Sequence, residues 1–302
     1  MSAVDTAIRR QDFDDSRHAF PALVARRLSP TIGAEIEGVR LSEDHDNRSV
    51  AAIRSLLLKH RVLVFRDQEF TPAQHVAFAR RFGELEIHPV YEHHPDHPEL
   101  VMLNADHERP GRENIFHTDT TFRETPALGS ILRCVTCPEV GGDTIWCDMA
   151  LAYERLPQDI KDRIAGLSAV HDVVPSFGGR MSEERRAEVR RELPPVEHPV
   201  VRTHPETGEK ILFVNQTFTT HFSTYNEPFD NFIGRERKLI SDMLLPYLTR
   251  QAEIPEYQVR IRWQPNTVVF WDNRSTQHYA VQDYFPAPRH MQRATIIGDR
   301  PR

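Results

Sequence analysis

The residues best suited to chemistry lie near the end of the chain, where His278 is followed by Arg289 and Arg293. Imidazole is a frequent metal ligand, and a guanidinium group can bind a carboxylate or another oxyanion through two parallel hydrogen bonds. This spacing indicates a metal centre that also holds small anions. Taken alone, His278 is equally consistent with a histidine at the edge of the core that donates to a backbone carbonyl.

A metal centre needs more ligands, and four His-x-Asp/Glu pairs could supply them. The pairs that begin at His94, His97 and His204 have proline as their middle residue, which is typical of turns. The fourth pair, His117 and Asp119, follows two apolar residues and is the best placed. Two histidines and one carboxylate on one side of an iron ion are the ligands of non-haem Fe(II) oxygenases. An exposed or cap-forming histidine is the alternative for this pair.

The charge balance and the cysteine content exclude several classes of protein. The net charge is −6 and the pI is about 6.2, whereas a nucleic-acid-binding domain usually presents a basic face. The first twenty residues are polar and charged, and no apolar segment approaches the length of a membrane span. Cys134, Cys137 and Cys147 are too few for a disulfide framework. We therefore expect a soluble, cytoplasmic protein without a nucleic-acid or membrane partner.

The hydrophobic pattern predicts many short strands separated by longer insertions. Apolar runs predict strands at residues 32–41, 61–65, 129–134, 144–147, 167–174, 198–203, 210–215, 258–263, 268–271 and 293–297. Helical periodicity predicts helices at residues 49–60, 72–83, 182–193 and 231–249, the second with Thr71 as its N-cap. Residues 86–110, rich in His, Pro and Asp, are expected to form an irregular loop. The pattern favours a mainly β fold with surrounding helices, a jelly roll or barrel.

The domain organisation follows from length and from the absence of linkers. The 302 residues can bury a large core, and no Gly/Ser run, acidic block or repeat divides them. We expect a single domain over residues 1–302, with residues 1–20 forming a flexible N-terminal extension.

With these candidate ligands assembled, the chain resembles the Fe(II)/2-oxoglutarate-dependent taurine dioxygenase family over nearly its whole length. The similarity is carried by IGAEIEGVRL, FGELEIHPVY, FHTDTTF, GGDTIW, HPVVRTHPETG, WDNRSTQHYA and RATIIGDRP. It implies a double-stranded β-helix, which is a jelly-roll variant and agrees with the strand pattern. It also implies His117, Asp119 and His278 as Fe(II) ligands, 2-oxoglutarate as cosubstrate and dioxygen as oxidant.

The resemblance also implies residues that bind the two organic ligands. Thr144 and Arg289 match the pair that holds the distal carboxylate of 2-oxoglutarate. Arg293 matches the arginine that binds the sulfonate group of the substrate. The other matches to substrate contacts are His88, Tyr91, Phe177 and Phe218, and the two phenylalanines alone would be interpreted as core residues.

One position departs from the family pattern and bears on the substrate. The taurine enzyme carries Asn four residues before the first iron ligand, where this chain has Glu113, followed by Asn114. Either Asn114 enters the site through a small shift of the loop, or Glu113 meets a cationic amine directly, and a different sulfonate is also compatible. The segment at residues 223–232 also looks longer than in the family.

The implied reaction is hydroxylation of the carbon next to sulfur in taurine or a related sulfonate, which releases sulfite and an aldehyde with succinate and CO2. An alkyl sulfate ester or an aryloxyalkanoate is the alternative anionic substrate for the same chemistry. A zinc hydrolase with the same ligands is less favoured, because Arg289 and Thr144 have no evident use there. A non-catalytic 2-oxoglutarate sensor is less favoured because the ligand set is intact. Because members of this family tend to form dimers or higher assemblies, the resemblance also implies a homo-oligomer.

Overall fold

The computed structural model describes residues 23–89, 91–111, 114–223 and 232–302, and for residues 180 and 232–239 it describes the backbone alone. The expected flexible extension at residues 1–20 lies outside this part, as do Glu113 and most of the segment 223–232. Predictions that concern those residues stay predictions.

The largest element is a sheet of eight strands. The strands lie side by side in the order β1 (Val24–Arg27), β2 (Ala34–Glu37), β3 (Val62–Phe65), β14 (Val268–Asp272), β6 (Ala127–Thr136), β16 (Arg289–Ile297), β5 (His97–Ala105) and β4 (His93–His94). All neighbours are antiparallel except β2 and β3. Long crossovers bring strands from both ends of the chain into its centre, which positions the C-terminal residues beside the middle of the chain.

A second sheet places the remaining candidate ligand. It contains β13 (Gln258–Ile261), β7 (Thr144–Asp148) and β15 (Thr276–Ala280), with β7 in the middle and both pairings antiparallel. A third sheet has three strands in the order β12 (Thr219–Phe222), β8 (Ser168–His171) and β9 (Val196–Pro199). The strands β10 (Val201–Thr203) and β11 (Lys210–Leu212) form a two-stranded antiparallel hairpin. This arrangement of mostly antiparallel sheets agrees with the expected mainly β, jelly-roll fold class.

Alternate residues of the central strands face two different cores. Phe270 of β14 packs in a cluster with residues of the two N-terminal helices, whereas its neighbour Trp271 packs in a cluster with residues of the second sheet. On β16, Ala294 belongs to the first cluster and Met291 to the second. Because residues two apart on a strand share a face, Arg293 faces the inside of the barrel together with Met291.

The helices lie outside the strands and most begin at a capped residue. They are α1 (Asn47–His60), α2 (Pro72–Arg80), α3 (Met149–Glu154), α4 (Gln158–Ile164), α5 (Val174–Phe177), α6 (Glu183–Glu192) and α7 (Phe232–Thr249). The predicted cap at Thr71 is present as a reciprocal capping box with Gln74. No helix in the described ranges is long and apolar enough to cross a membrane.

Several predicted boundaries were wrong, and the physical reason is tertiary pairing. Residues 86–110 are not an irregular loop, because β5 finds a backbone partner in β16 and hairpins with β4. The pair at His97 accordingly begins a strand rather than a turn. The predicted strand at residues 167–174 ends at His171 and is followed by α5. The last strand begins at Arg289, four residues earlier than predicted.

Candidate active site

His117 and His278 lie opposite each other on neighbouring extended segments. The backbone N–H of His117 donates to the carbonyl of His278 at 3.0 Å, and the reverse hydrogen bond measures 2.8 Å. Directly opposed residues of an antiparallel pair project their side chains on the same face. The two imidazole ring centres are accordingly 4.1 Å apart. The long-range pairing of two extended segments therefore supplies two ligands at once.

Asp119 adds a carboxylate to the two imidazoles. Its Oδ1 lies 3.7 Å from Nε2 of His117 and 4.0 Å from Nε2 of His278, and the candidate ligand atoms all lie within 4.8 Å of one another. Nδ1 of His117 is 2.8 Å from the carbonyl oxygen of Ile115, which assigns the proton to Nδ1 and leaves the Nε2 lone pair facing the site. Burial lowers the pKa of His278 to about 3, and the adjacent His117 acts in the same direction.

The Asp119 carboxylate is held ionised by its surroundings. Burial raises its pKa, but Arg293 and the two histidines outweigh that effect and hold the pKa well below its usual range. Nη1 of Arg293 donates to Oδ1 at 2.9 Å, and the hydroxyl of Ser130 donates to Oδ2 at 3.2 Å. A carboxylate with two imidazoles, of which His278 is kept neutral, is the donor set of a non-haem Fe(II) centre, so these residues fit the ion.

The Asn273 side chain fixes the backbone that carries Asp119. Its Oδ1 accepts from the N–H of Asp119 at 2.9 Å, and its Nδ2 donates to the carbonyl of Asp119 at 3.0 Å and to that of Ala127 at 3.1 Å. Asn273 is almost fully buried. Groups around a ligand that restrict its orientation strengthen metal binding, so Asn273 supports the centre without touching the metal position.

A second cluster surrounds Thr144 and Arg289, the pair matched to 2-oxoglutarate binding. Nη2 of Arg289 donates to Oγ1 of Thr144 at 3.3 Å, and Nε of Arg289 donates to the carbonyl of Gly142 at 3.0 Å. The indole N–H of Trp263 donates to the same Thr144 oxygen at 2.9 Å. The guanidinium carbon of Arg289 also lies 5.7 Å from the Trp263 ring centre and 6.0 Å from that of Tyr284. The cluster thus presents a buried, oriented cation with a hydroxyl beside it.

A group of aromatic rings lies beside Arg293. The ring of Tyr91 lies 4.7 Å from that of His88 and 5.8 Å from that of Phe177, and Phe177 stacks on Phe218 at 6.3 Å. The guanidinium carbon of Arg293 lies 5.7 Å from the Tyr91 ring centre. The structure therefore brings together four of the predicted substrate contacts and the predicted sulfonate-binding arginine.

His88 is neutral in this setting. Burial, and after it the charge of Arg293, lower its pKa to about 3. Its Nδ1 accepts a hydrogen bond from the backbone N–H of Tyr91 at 3.4 Å, which places the ring proton on Nε2. A neutral imidazole with one N–H beside a guanidinium can donate to a bound oxyanion.

Asn114 is the remaining predicted substrate contact. It is exposed and lies three residues before His117. Glu113 lies outside the described residues, so the substitution of Asn by Glu at this position stays open.

Four residues of the site were not predicted from the sequence. They are Ser130, Asn273, Trp263 and Phe122, whose ring lies 5.1 Å from that of Phe218. Each contacts a residue outside its own secondary-structure element, so no local spacing pointed to it. The one available signal was the segment WDNR before His278, which contains Asn273 directly after a buried strand.

The fold is a jelly roll, and its site combines two histidines and one carboxylate with a buried arginine–threonine pair. This combination is typical of the Fe(II)/2-oxoglutarate-dependent dioxygenases. Residues 25–295 match the model of the taurine catabolism dioxygenase TauD, TfdA family. The chain belongs to this family and is an Fe(II)/2-oxoglutarate-dependent dioxygenase that uses O2.

Similar proteins extend the match across nearly the whole chain. An alkylsulfatase of Acinetobacter baylyi is 37% identical over 92% of this chain and 86% of its own. An alpha-ketoglutarate-dependent sulfate ester dioxygenase of Pseudomonas putida is 37% identical over 89% of this chain and 88% of its own. The crystal structure of a taurine dioxygenase from Burkholderia xenovorans is 38% identical, covers 93% of this chain and 91% of its own, and superposes with a TM-score of 0.76.

Proposed function

We propose that this dioxygenase hydroxylates the carbon that bears the sulfur-containing group of an organic anion, with an alkyl sulfate ester as the preferred substrate. The observation that carries the proposal is the position of Arg293. Its guanidinium lies 2.9 Å from the candidate metal ligand Asp119, and its guanidinium carbon lies 5.7 Å from the ring centre of Tyr91. An anion bound to Arg293 would lie beside the metal, and its organic part would extend along aromatic side chains.

In this proposal, His117, Asp119 and His278 hold Fe(II), which with 2-oxoglutarate and dioxygen supplies the oxidising chemistry when bound. Arg289 and Thr144 bind the distal carboxylate of 2-oxoglutarate. An arginine fork and a hydroxyl suit a carboxylate, because charge-assisted hydrogen bonds are stronger than neutral ones. Trp263 holds the Thr144 hydroxyl at a fixed position through its 2.9 Å hydrogen bond.

At the substrate end, Arg293 and the neutral His88 bind the sulfate oxygens, and Phe177 and Phe218 pack against the alkyl chain. Asp119 pairs with Arg293, and Glu86 pairs with Arg123. The alkyl chain of a sulfate ester would pack against the rings of Tyr91 and Phe177, whereas a taurine ammonium group there would lie against apolar surface. The Acinetobacter and Pseudomonas relatives are both named for sulfate ester substrates, which also favours an alkyl sulfate as the substrate of this chain.

The proposed reaction balances without a further reagent. One oxygen atom converts 2-oxoglutarate into succinate and CO2, and the other hydroxylates the carbon attached to the ester oxygen. The hydroxylated ester breaks at its carbon–oxygen bond to give an aldehyde and hydrogensulfate. With a sulfonate, the carbon–sulfur bond breaks instead and gives an aldehyde and hydrogensulfite.

Taurine, the substrate that the sequence resemblance implied, is the second candidate here. It is favoured by the solved Burkholderia xenovorans taurine dioxygenase and by the grouping of His88, Tyr91, Phe177 and Phe218 around Arg293. The two candidates share every residue assignment above and differ only in the substrate tail and in the bond that breaks.

The test is a product assay with Fe(II), 2-oxoglutarate and dioxygen, using hexyl sulfate, hexanesulfonate and taurine in parallel. We expect hexyl sulfate to give succinate, hexanal and sulfate in equal amounts, and an anaerobic reaction to give none. Faster turnover of taurine with release of sulfite would move the assignment to taurine. Absence of substrate-dependent succinate with all three compounds would refute the proposal.

A further inference from the structure

A second ion pair lies beside Arg293, between Glu86 and Arg123. Oε1 of Glu86 is 2.5 Å from Nε of Arg123, and the Glu86 side chain is 8% exposed whereas that of Arg123 is 29% exposed. Burying an unpaired carboxylate costs free energy, so Arg123 stabilises the buried, ionised form of Glu86. Neither residue belongs to the ligand or contact sets assigned above.

The backbone places Glu86 next to Arg293. The N–H of Glu86 donates to the carbonyl of Thr295 at 2.9 Å, and the neighbouring Leu85 forms a bridge with Ile296. Thr295 follows Arg293 by two residues on β16, so their side chains share a face. The Glu86 carboxylate interacts electrostatically with Arg293 as well as with Arg123: burial raises its pKa, and both arginines lower it.

Arg123 is held at the edge of the aromatic group. A tight turn joins its N–H to the carbonyl of Thr120 at 3.0 Å, and Nε2 of His198 lies 2.9 Å from the carbonyl oxygen of Arg123. Its guanidinium carbon lies 5.9 Å from the ring centre of Phe122, which itself packs 6.3 Å from the ring of His88. Its charge thus lies against Glu86 at the edge of the aromatic group.

We propose that Arg123 determines specificity by forming an ion pair with Glu86. This pair prevents the Glu86 carboxylate from competing with an anionic substrate for Arg293. The inference rests on the proposed function, in which Arg293 binds the sulfate or sulfonate group. Without Arg123, the buried Glu86 has Arg293 as its remaining cationic neighbour and pairs with it. A substrate anion must then compete with a resident carboxylate, which weakens substrate binding and leaves the 2-oxoglutarate pocket unchanged.

The test compares Arg123→Met, Glu86→Gln and the double variant in the complete Fe(II)- and 2-oxoglutarate-loaded protein under anaerobic conditions. Hexyl sulfate is titrated, and binding is followed by the change in the Fe(II)/2-oxoglutarate absorption band. We expect Arg123→Met to weaken hexyl sulfate binding about 10-fold, in the range of a lost rim or partly buried charge interaction. The double variant should return to within about 3-fold of wild type, because the competing carboxylate is gone.

Two controls separate a charge effect from a loss of structure. Arg123→Lys keeps the charge and should recover most of the binding. Arg26→Met removes an arginine that lies 3.0 Å from Glu37 on the edge strand β1, which four strands separate from β16, and should bind hexyl sulfate as the wild type does.

The outcomes are distinct for the two proposals. If the double variant binds as weakly as Arg123→Met, or if Arg123→Met weakens 2-oxoglutarate binding equally, the inference about Arg123 is wrong. If hexyl sulfate, hexanesulfonate and taurine all leave the wild-type band unchanged, the proposed function is wrong and the inference falls with it.

Discussion

Arg293 donates a hydrogen bond to Oδ1 of Asp119 at 2.9 Å, and this is the same oxygen that faces the Nε2 atoms of His117 and His278. One carboxylate oxygen therefore lies between a guanidinium and the candidate metal position. The arrangement keeps Asp119 ionised in the folded protein, and it brings any anion bound to Arg293 close to the metal. Metal binding and substrate binding are thus joined through a single side chain.

Arg293→Met should separate these two effects. We expect hexyl sulfate to bind about 100-fold more weakly, which corresponds to about 3 kcal/mol for a buried charge-assisted contact. The metal-free variant should also unfold at a lower temperature, because Asp119 loses its partner, and Fe(II) should restore most of that loss. The measurements are substrate titration and thermal unfolding with and without Fe(II). An unchanged affinity for hexyl sulfate would contradict the assignment of Arg293.

Trp263→Phe should weaken 2-oxoglutarate binding, although Trp263 was not matched to the cosubstrate. The substitution removes the 2.9 Å hydrogen bond that orients the Thr144 hydroxyl, and a hydrogen bond of this kind contributes about 1 kcal/mol, or roughly 5-fold in affinity. The loss should not add to that of Thr144→Val, since both changes disable the same hydroxyl. Independent, additive losses in KM for 2-oxoglutarate would show that the hydrogen bond does not act through Thr144.

Asn273→Ala should weaken Fe(II) binding without removing a ligand. Three buried backbone groups lose their partner, which should cost about 2–3 kcal/mol of unfolding free energy. Loss of support around Asp119 should lower Fe(II) affinity about 10- to 100-fold, in the range seen for groups that orient metal ligands. Anaerobic Fe(II) titration and denaturant unfolding measure the two effects. Wild-type Fe(II) affinity in a destabilised variant would assign Asn273 to folding alone.

Buried neutral histidines predict a loss of stability in mild acid. Burial lowers the pKa of His75 to about 3, so this histidine stays neutral in the folded protein where the unfolded chain binds a proton. Unfolding free energy should therefore fall as the pH drops from about 6.5 towards 3, by up to about 1.4 kcal/mol per pH unit for each such group. His75→Gln should reduce this slope, whereas substitution of the exposed His107 should not. Denaturant unfolding at a series of pH values measures it, and equal slopes in both variants would contradict the prediction.

The sequence allowed prediction of those features that have a local signal. The capping box at Thr71, the apolar runs of β3 and β14, and the paired spacing of His117 and Asp119 are all read within a few residues. The jelly-roll fold class, the enzyme class and the cofactors are confirmed. Local patterns were sufficient for the strands and the helix cap, whereas the enzyme class and the cofactors were implied by the family resemblance.

Features that depend on distant partners were not predicted. The strand β5 lies within a segment rich in His, Pro and Asp, and it is held in the sheet by its pairing with β16. Ser130 and Trp263 contact the site through side-chain hydrogen bonds that span 11 and 119 residues, and neither carries a recognisable motif. Tertiary pairing outweighs intrinsic propensity in such segments, which is why their boundaries and contacts emerged only with the fold.

The central claim is that His117, Asp119 and His278 bind Fe(II) beside a 2-oxoglutarate site formed by Arg289 and Thr144. An anaerobic titration of Fe(II) and 2-oxoglutarate, followed by the metal-to-ligand charge-transfer absorption, tests it most directly. The wild type should develop the band and saturate at one Fe(II) per chain, and Asp119→Ala should develop none. Arg289→Met should need far more 2-oxoglutarate to reach the same absorption. A band of wild-type intensity and affinity in Asp119→Ala would contradict the account.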